Sequence, residues 1–191
     1  GAAYQGVFKN PLVAPDLLGV SSGACVGASV AILLHLNSFG VQAMAFVAGI
    51  WAVGLTLFIP RLIKNTNMTM LVLSGIIVKG IMDSVMGIIK YVADPETELQ
   101  SITYWQLGSL TKVLPKDLFT VGPVVVTASV IIFLLRWRIN ILSLGDREAK
   151  TLGVSVTIVR NFIIICATLL TASAVCISGT IGWIGLVIPH F

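Results

Sequence analysis

Charge is what this sequence has least of. Only 10% of its 191 residues are charged, against about 25% in an ordinary soluble domain. So few charges cannot cover the apolar surface of a water-soluble monomer, which excludes a cytosolic enzyme and a disordered tail. The 12 basic and 8 acidic residues leave a net charge of +4. That excess is too dilute for a polyanion-binding face, so no nucleic-acid partner is expected. Histidine is scarce: His35 and His190 are far apart, with no carboxylate at metal-ligand spacing. The three cysteines, Cys25, Cys166 and Cys176, sit in apolar stretches without C-x-x-C or Cys/His spacing. They read as small hydrophobes in helix packing, and neither a metal site nor a disulfide framework is expected. No G-x-x-x-x-G-K-[ST] loop cradles a phosphate, so no nucleotide is expected to bind directly. No Ser/His/Asp arrangement or H-E-x-x-H supports an intramembrane protease, and the chain is not read as an enzyme. It opens on Gly-Ala-Ala without a basic n-region and stops at Pro189-His190-Phe191 inside an apolar stretch. No signal peptide is visible, and both ends read as cut.

What the sequence has is oil. Apolar residues make up 57% of the chain and the mean hydropathy is +1.00, which is the composition of a membrane protein. A helix needs about 20 apolar residues to cross the hydrocarbon core. Five stretches qualify: 17–36, 41–59, 68–93, 118–135 and 158–178. The segment 4–9 reads as the last turn of an earlier helix. Gly179–His190 is apolar but glycine-rich, and either bends back or continues as a broken helix shielded by protein. The expected fold is an all-α polytopic bundle, one transmembrane domain over residues 1–191.

Basic residues collect on the cytoplasmic side of a membrane protein. With five spans, Lys9, Arg61, Lys64, Arg136, Arg138, Arg147, Lys150 and Arg160 fall on one side, and Lys90, Lys112 and Lys116 on the other. The start of the chain and the connection from Arg136 to Arg160 are therefore expected to be cytoplasmic, and the loop from Tyr91 to Asp117 external.

Three features stand out within this frame. Gly19, Gly23 and Gly27 recur every four residues, a stripe that lets backbones approach closely, either within the bundle or between subunits. Lys79 and Asp83 lie one helical turn apart in the third span. Charges there usually face a bundle interior or a water-filled cavity. Two readings stay open: a polar lining of a substrate path, with Ser74 and Ser84, or a self-neutralising pair with Lys79 snorkelling to the interface. Third, the stretch 142–154 has the marks of a short cytoplasmic helix. Ser143 suits its cap, Asp146 and Glu148 its first turn, Lys150 its last, and Gly153 its terminator. It is either a surface that another protein can push or a solvated turn.

Four segments together resemble a known family. Gln5-Gly6-Val7-Phe8-Lys9-Asn10-Pro11-Leu12-Val13-Ala14-Pro15-Asp16-Leu17-Leu18-Gly19-Val20-Ser21-Ser22-Gly23-Ala24 is similar to the "QG-x-F-x-NPLA-x-P-x-LLGVSSGA" signature of FecCD-type ABC-importer permeases. Leu144-Gly145-Asp146-Arg147-Glu148-Ala149-Lys150-Thr151-Leu152-Gly153-Val154 resembles the family's cytoplasmic "LG-D-x-x-A-x-x-LGV" segment. The run from Gly179 through Gly182 and Gly185 to Pro189-His190 resembles "G-x-IGFIGLVIPH", and Tyr104–Leu110 resembles "YW-x-x-GSL" more weakly. The departures are Val13 for Ala, Trp183 for Phe, and Arg147 where an acidic residue is frequent.

The resemblance implies a type II ABC importer permease of a bacterial or archaeal cytoplasmic membrane, carrying an iron–siderophore, haem, cobalamin or oxyanion. Family members have ten membrane helices, so this chain would run from the end of the second to the end of the seventh. The implied partners are a second permease subunit, two ATPase subunits that bind the ATP, and a soluble binding protein. The coupling residues would be Leu144, Gly145, Asp146, Arg147, Glu148, Ala149, Lys150, Leu152 and Gly153, and the third span would line the path. The rival expectation is an ion-gradient-driven secondary transporter, which also uses broken helices and buried charges.

Overall fold

The computed structural model describes residues 1–10, 13–64 and 67–190, and among them there is no strand. The helices are α1 (Ala2–Phe8), α2 (Val20–Leu33), α3 (Ser38–Leu62), α4 (Met68–Val92), α5 (Glu98–Gln106), α6 (Pro115–Leu134), α7 (Arg136–Leu144), α8 (Asp146–Thr151), α9 (Val156–Ser178) and α10 (Ile184–Val187). Of these, α3, α4, α6 and α9 are long and apolar enough to cross a bilayer. The protein is an all-α, multi-pass membrane protein.

The first expected span, 17–36, is not a full span. Pro15–Leu18 form a 3-10 turn, Gly19 takes a left-handed φ of 80°, and α2 has only 14 residues. A helix of that length covers about 21 Å, too short for the hydrocarbon core. Both of its ends are set locally. Asp16 Oδ1 accepts the Ser21 amide at 2.9 Å at the start. At the end His35, at φ 52°, carries a 6→1 and 5→2 pair of backbone bonds, Leu36 N to Ala31 O and His35 N to Ile32 O. Asn37 then opens α3 by accepting the Gly40 amide at 2.8 Å.

The start of α2 lies deep in the bundle. A Cβ on Gly75 would strike the Leu17 carbonyl, and Gly19 lies against the backbone of Lys79. These α4 positions are roughly 10 and 16 Å along the helix from its Met68 end. Irregular backbone at that depth must be satisfied by protein. Leu17 N donates to Ala14 O and Gly19 N to Asp16 O, while Thr56 Oγ1 donates to Leu18 O at 3.0 Å. Val13, Leu18 and Val20 are buried.

The glycine stripe resolves as packing within the chain. A Cβ at Gly23 would lie 2.5 Å from Ala52 Cβ and 2.8 Å from Ala48 O, and one at Gly27 would strike the Met44 carbonyl. Thus α2 and α3 pack backbone to backbone. Gly19 is not part of this contact; it is the turn that starts α2. The main core runs from the corner where Tyr4, Val7, Leu142, Ala149, Val159 and Ile163 join α1, α7, α8 and α9 to Leu18 and Val20 at the start of α2. There Tyr4 and Thr168 share a hydroxyl hydrogen bond at 3.2 Å.

The glycine-rich tail bends back. Ser178 ends α9 beside the α5–α6 connection, where Ser109 N donates to Ser178 O and Thr180 Oγ1 donates to Gln106 O. Gly179 and Trp183 then turn at φ 71° and 68°. The short α10 follows, with Gly185 packed on Pro15. The chain has re-entered the bundle to the depth of the broken α2 start.

Candidate functional site

Two places collect polar side chains. The deeper one is built around Asp16. Its Oδ1 holds the α2 N-terminus and its Oδ2 lies 3.4 Å from Lys79 Nζ. The Lys79–Asp83 pair considered from helical spacing does not form. Side chains on a helix tilt toward its N-terminus, which carries the Lys79 ammonium toward the 3-10 turn and away from Asp83. Asp83 makes no ion pair or hydrogen bond among the described residues, and it shares the exposed face of α4 with Gly80, Ser84 and Gly87. Ser84 Oγ folds back onto Gly80 O at 2.8 Å. Ser74 is elsewhere: it is fully buried and bonds Met70 O.

Beside Asp16 lies a cavity of about 580 Å³ between the α2 start, α9 and the re-entrant tail. Ser21, Thr171, Ser178 and Gly182 line it with Asp16. Ser22 is half-buried, and no Cβ contact would obstruct Gly182. Pro189 packs on the start of the chain at Gly1, and Asn10 closes α1 by donating its amide to Gln5 O at 3.2 Å. Pro11 lies outside the described residues.

The second place is the α7–α8 corner. Ser143 is not the cap of the short helix: it belongs to the last turn of α7 and donates to Asn140 O. The break is made by Gly145 at φ 152°. Gly153, at φ 77°, ends α8 with a Schellman pair, Val154 N to Ala149 O and Gly153 N to Lys150 O, the arrangement glycine favours. Ala149 is fully buried, whereas Leu144 and Leu152 are exposed on either side of the charged turn. Arg147, Glu148 and Lys150 are also exposed.

Sequence spacing missed what fixes this corner. Arg160 Nη2 donates to both oxygens of Asp146, at 2.8 and 3.0 Å, and Lys9 Nζ lies 3.8 Å from the same carboxylate. Asp146 thereby ties α8 to the base of α9 and to the end of α1. The three residues are far apart in the chain. Their one sequence signal is that all were assigned to the basic side. The Asp16 role was legible in hindsight as an acceptor one turn before the Val20-Ser21 helix start.

Among the described residues no cluster of His, Cys, Asp and Glu could hold a metal. The arrangement is a bundle with a braced charged corner at one end and a broken helix beside a cavity inside. The FecCD transport family model matches residues 1–191. The chain belongs to the FecCD transport family. It is 40% identical to a probable iron chelatin transport system permease protein of Helicobacter pylori, covering 100% of this chain and 57% of that protein. It is 36% identical to a molybdate import system permease protein of Haemophilus influenzae, covering 100% and 56%. It is 33% identical to a hemin transport system permease protein of Yersinia pestis, covering 100% and 58%. Among solved structures, one described as an inward-facing conformation of a metal-chelate type ABC transporter superposes with a TM-score of 0.92 at 35% identity. That match covers 100% of this chain and 61% of the other. The chain spans little more than half the length of the curated relatives it matches. The α8 corner and the broken α2 start are the FecCD chain's two candidate working parts.

Proposed function

We propose that this FecCD chain forms the translocating part of an ABC importer permease in a bacterial or archaeal cytoplasmic membrane. The cargo class is a metal chelate such as an iron–siderophore, haem or cobalamin, or a related oxyanion. Two permease subunits, preferably identical, would stand on two ATPase subunits and receive cargo from a soluble binding protein. ATP would be bound and hydrolysed by the ATPase partner; this chain would carry no cofactor and catalyse nothing itself.

The observation that carries the reading is the bracing of α8. A motor can push a six-residue helix usefully only if that helix is fixed to something long. The Asp146–Arg160 contact fixes α8 to α9, and α9 runs the full span to the re-entrant tail and the cavity beside Asp16. The exposed Leu144 and Leu152 offer the apolar grip. Displacement at the corner would thus reach the broken α2 start and α4, whose open face carries Asp83 and Ser84. Such coupling requires the nucleotide to favour one of two states, because a ligand shifts an equilibrium only by its differential affinity.

The test is uptake in vesicles containing the full-length permease with its ATPase. Asp146→Lys and Gly153→Pro are expected to abolish uptake while the purified complex keeps its size and helix content. Unchanged uptake in both variants sinks the reading. One observation favours a second reading: an ion pair beside a discontinuous helix also suits a gradient-driven transporter. Uptake that persists with an inactive ATPase and collapses with the proton gradient selects that alternative.

A further inference from the structure

We propose that the α6–α7–α9 junction is a binding site for one anionic phospholipid of the basic-side leaflet, seated next to the α8 corner. Two adjoining cavities meet at Arg138. One, of about 310 Å³, is walled by Ile131, Leu134, Ile158 and Phe162, with Arg138 at its mouth. The other, of about 300 Å³, runs beneath Arg138 and Trp137 to Leu152, Gly153 and Ser155. The first is an apolar cleft between two helices that span the membrane; the second is lined by the link from Leu152 to Ser155 that leaves α8.

The depth fits a lipid at the interface. Ile158 and Phe162 are one turn apart at the start of α9, so the cleft occupies roughly the last 6 Å before the helix end. Arg136 and Arg138 follow directly on α6. Trp137, 72% exposed between them, is the residue type that gathers at headgroup level. An acyl chain would lie in the cleft with its phosphate at Arg138.

Charge decides the lipid class. The ion pairs among the described residues are Lys9–Asp146, Arg160–Asp146, Lys79–Asp16 and His35–Glu98. None involves Arg136 or Arg138. Asp146, the acidic residue engaged at this corner, is already shared between Arg160 and Lys9. Arg136 faces a different cavity, with Ala2 and Ile139, and stacks there over the Phe133 ring, 4.5 Å from its centroid. Arg138, unneutralised at the junction of the two cavities, complements an anionic headgroup with its chain attached, and basic juxtamembrane residues attract the anionic lipids of the cytoplasmic leaflet. Because the second cavity reaches Gly153, an occupant here would bear on the α8 terminator.

The experiment uses the full-length permease in phosphatidylcholine vesicles, with an environment-sensitive fluorophore on Leu134→Cys. Brominated-chain phosphatidylglycerol is compared with brominated-chain phosphatidylcholine as quencher. A preference for phosphatidylglycerol of about fivefold is expected from the single engaged arginine, Arg138. It should fall to parity in Arg138→Gln, persist in Arg138→Lys and resist millimolar inorganic phosphate. Ile158→Trp, which fills the cleft, should lower quenching by both lipids. Equal quenching by the two lipids, quenching by neither, a preference that survives Arg138→Gln, or its loss to inorganic phosphate each overturns the proposal. The readout needs no transport, so failure of the importer reading leaves it intact.

Discussion

Lys79 reaches Asp16, 63 residues away in the chain, at 3.4 Å, instead of Asp83 one turn along its own helix. The contact pins the irregular start of α2 to the middle of α4, and it leaves Asp83 alone on the open face. The carboxylate that receives Lys79 also holds the Ser21 amide. One side chain therefore caps a helix and couples two elements.

Asp16→Ala removes both functions. The cap is worth about 1 kcal/mol, and the pair, a third to a half exposed on each side, adds no more than about 1 kcal/mol. Asp16→Asn keeps an acceptor for Ser21 and should cost roughly half as much as Asp16→Ala. Unfolding of the purified protein in detergent, run as a double-mutant cycle with Lys79→Met, checks this. A coupling of zero means that the pair holds nothing.

Two glycine-to-alanine changes should differ sharply. At Gly27 the added methyl meets the Met44 carbonyl, and overpacking of that kind costs about 1–3 kcal/mol. At Gly54 the methyl meets nothing, so the higher helix propensity of alanine should leave stability unchanged or raise it by up to about 1 kcal/mol. Thermal midpoints of the two variants, measured side by side, decide the matter; equal midpoints would contradict the α2–α3 contact.

Gly153→Ala forces a Cβ into a left-handed backbone at φ 77°, at about 1–2 kcal/mol. Since α8 has six residues and a single buried side chain, Ala149, the loss should appear there first. Amide exchange across 146–153 should speed up by roughly tenfold while α9 is unchanged. Faster exchange throughout α9 would show that the two helices unfold as one.

Asp83→Leu touches no partner, so stability should stay within about 0.5 kcal/mol. If the α4 face lines a path, uptake should nevertheless fall roughly tenfold, about 1.4 kcal/mol on the barrier. The double change of Lys79 and Asp83 to Leu should fall at least as far. A passive scaffold would assemble and work normally after both.

Much of the bundle was legible because its signals are local. The long apolar helices α3, α4, α6 and α9 announce themselves by length and composition, and Gly153 by its place after a charged turn. What failed was also instructive. The run 17–36 is mostly apolar, yet it does not make one spanning helix, since Gly19 and the Asp16 cap set a start that hydropathy cannot see. Ser143 looked like a cap by spacing but lies inside α7, because the break is made two residues later at Gly145. Lys79 and Asp83 satisfied the i, i+4 rule, and a distant carboxylate won.

The sequence by itself determined that this chain lives in a bilayer, which end is basic, and which family it resembles. Those follow from transfer free energies and residue order, which act through the near neighbours of each residue. Only the tertiary structure decided that α2 starts in mid-bundle, that the tail returns to meet it, and that Asp146 is braced by Arg160 and Lys9. Each of these joins residues distant in the chain, and a pairwise contact of that kind is chosen by the packing of whole helices and written in no local pattern.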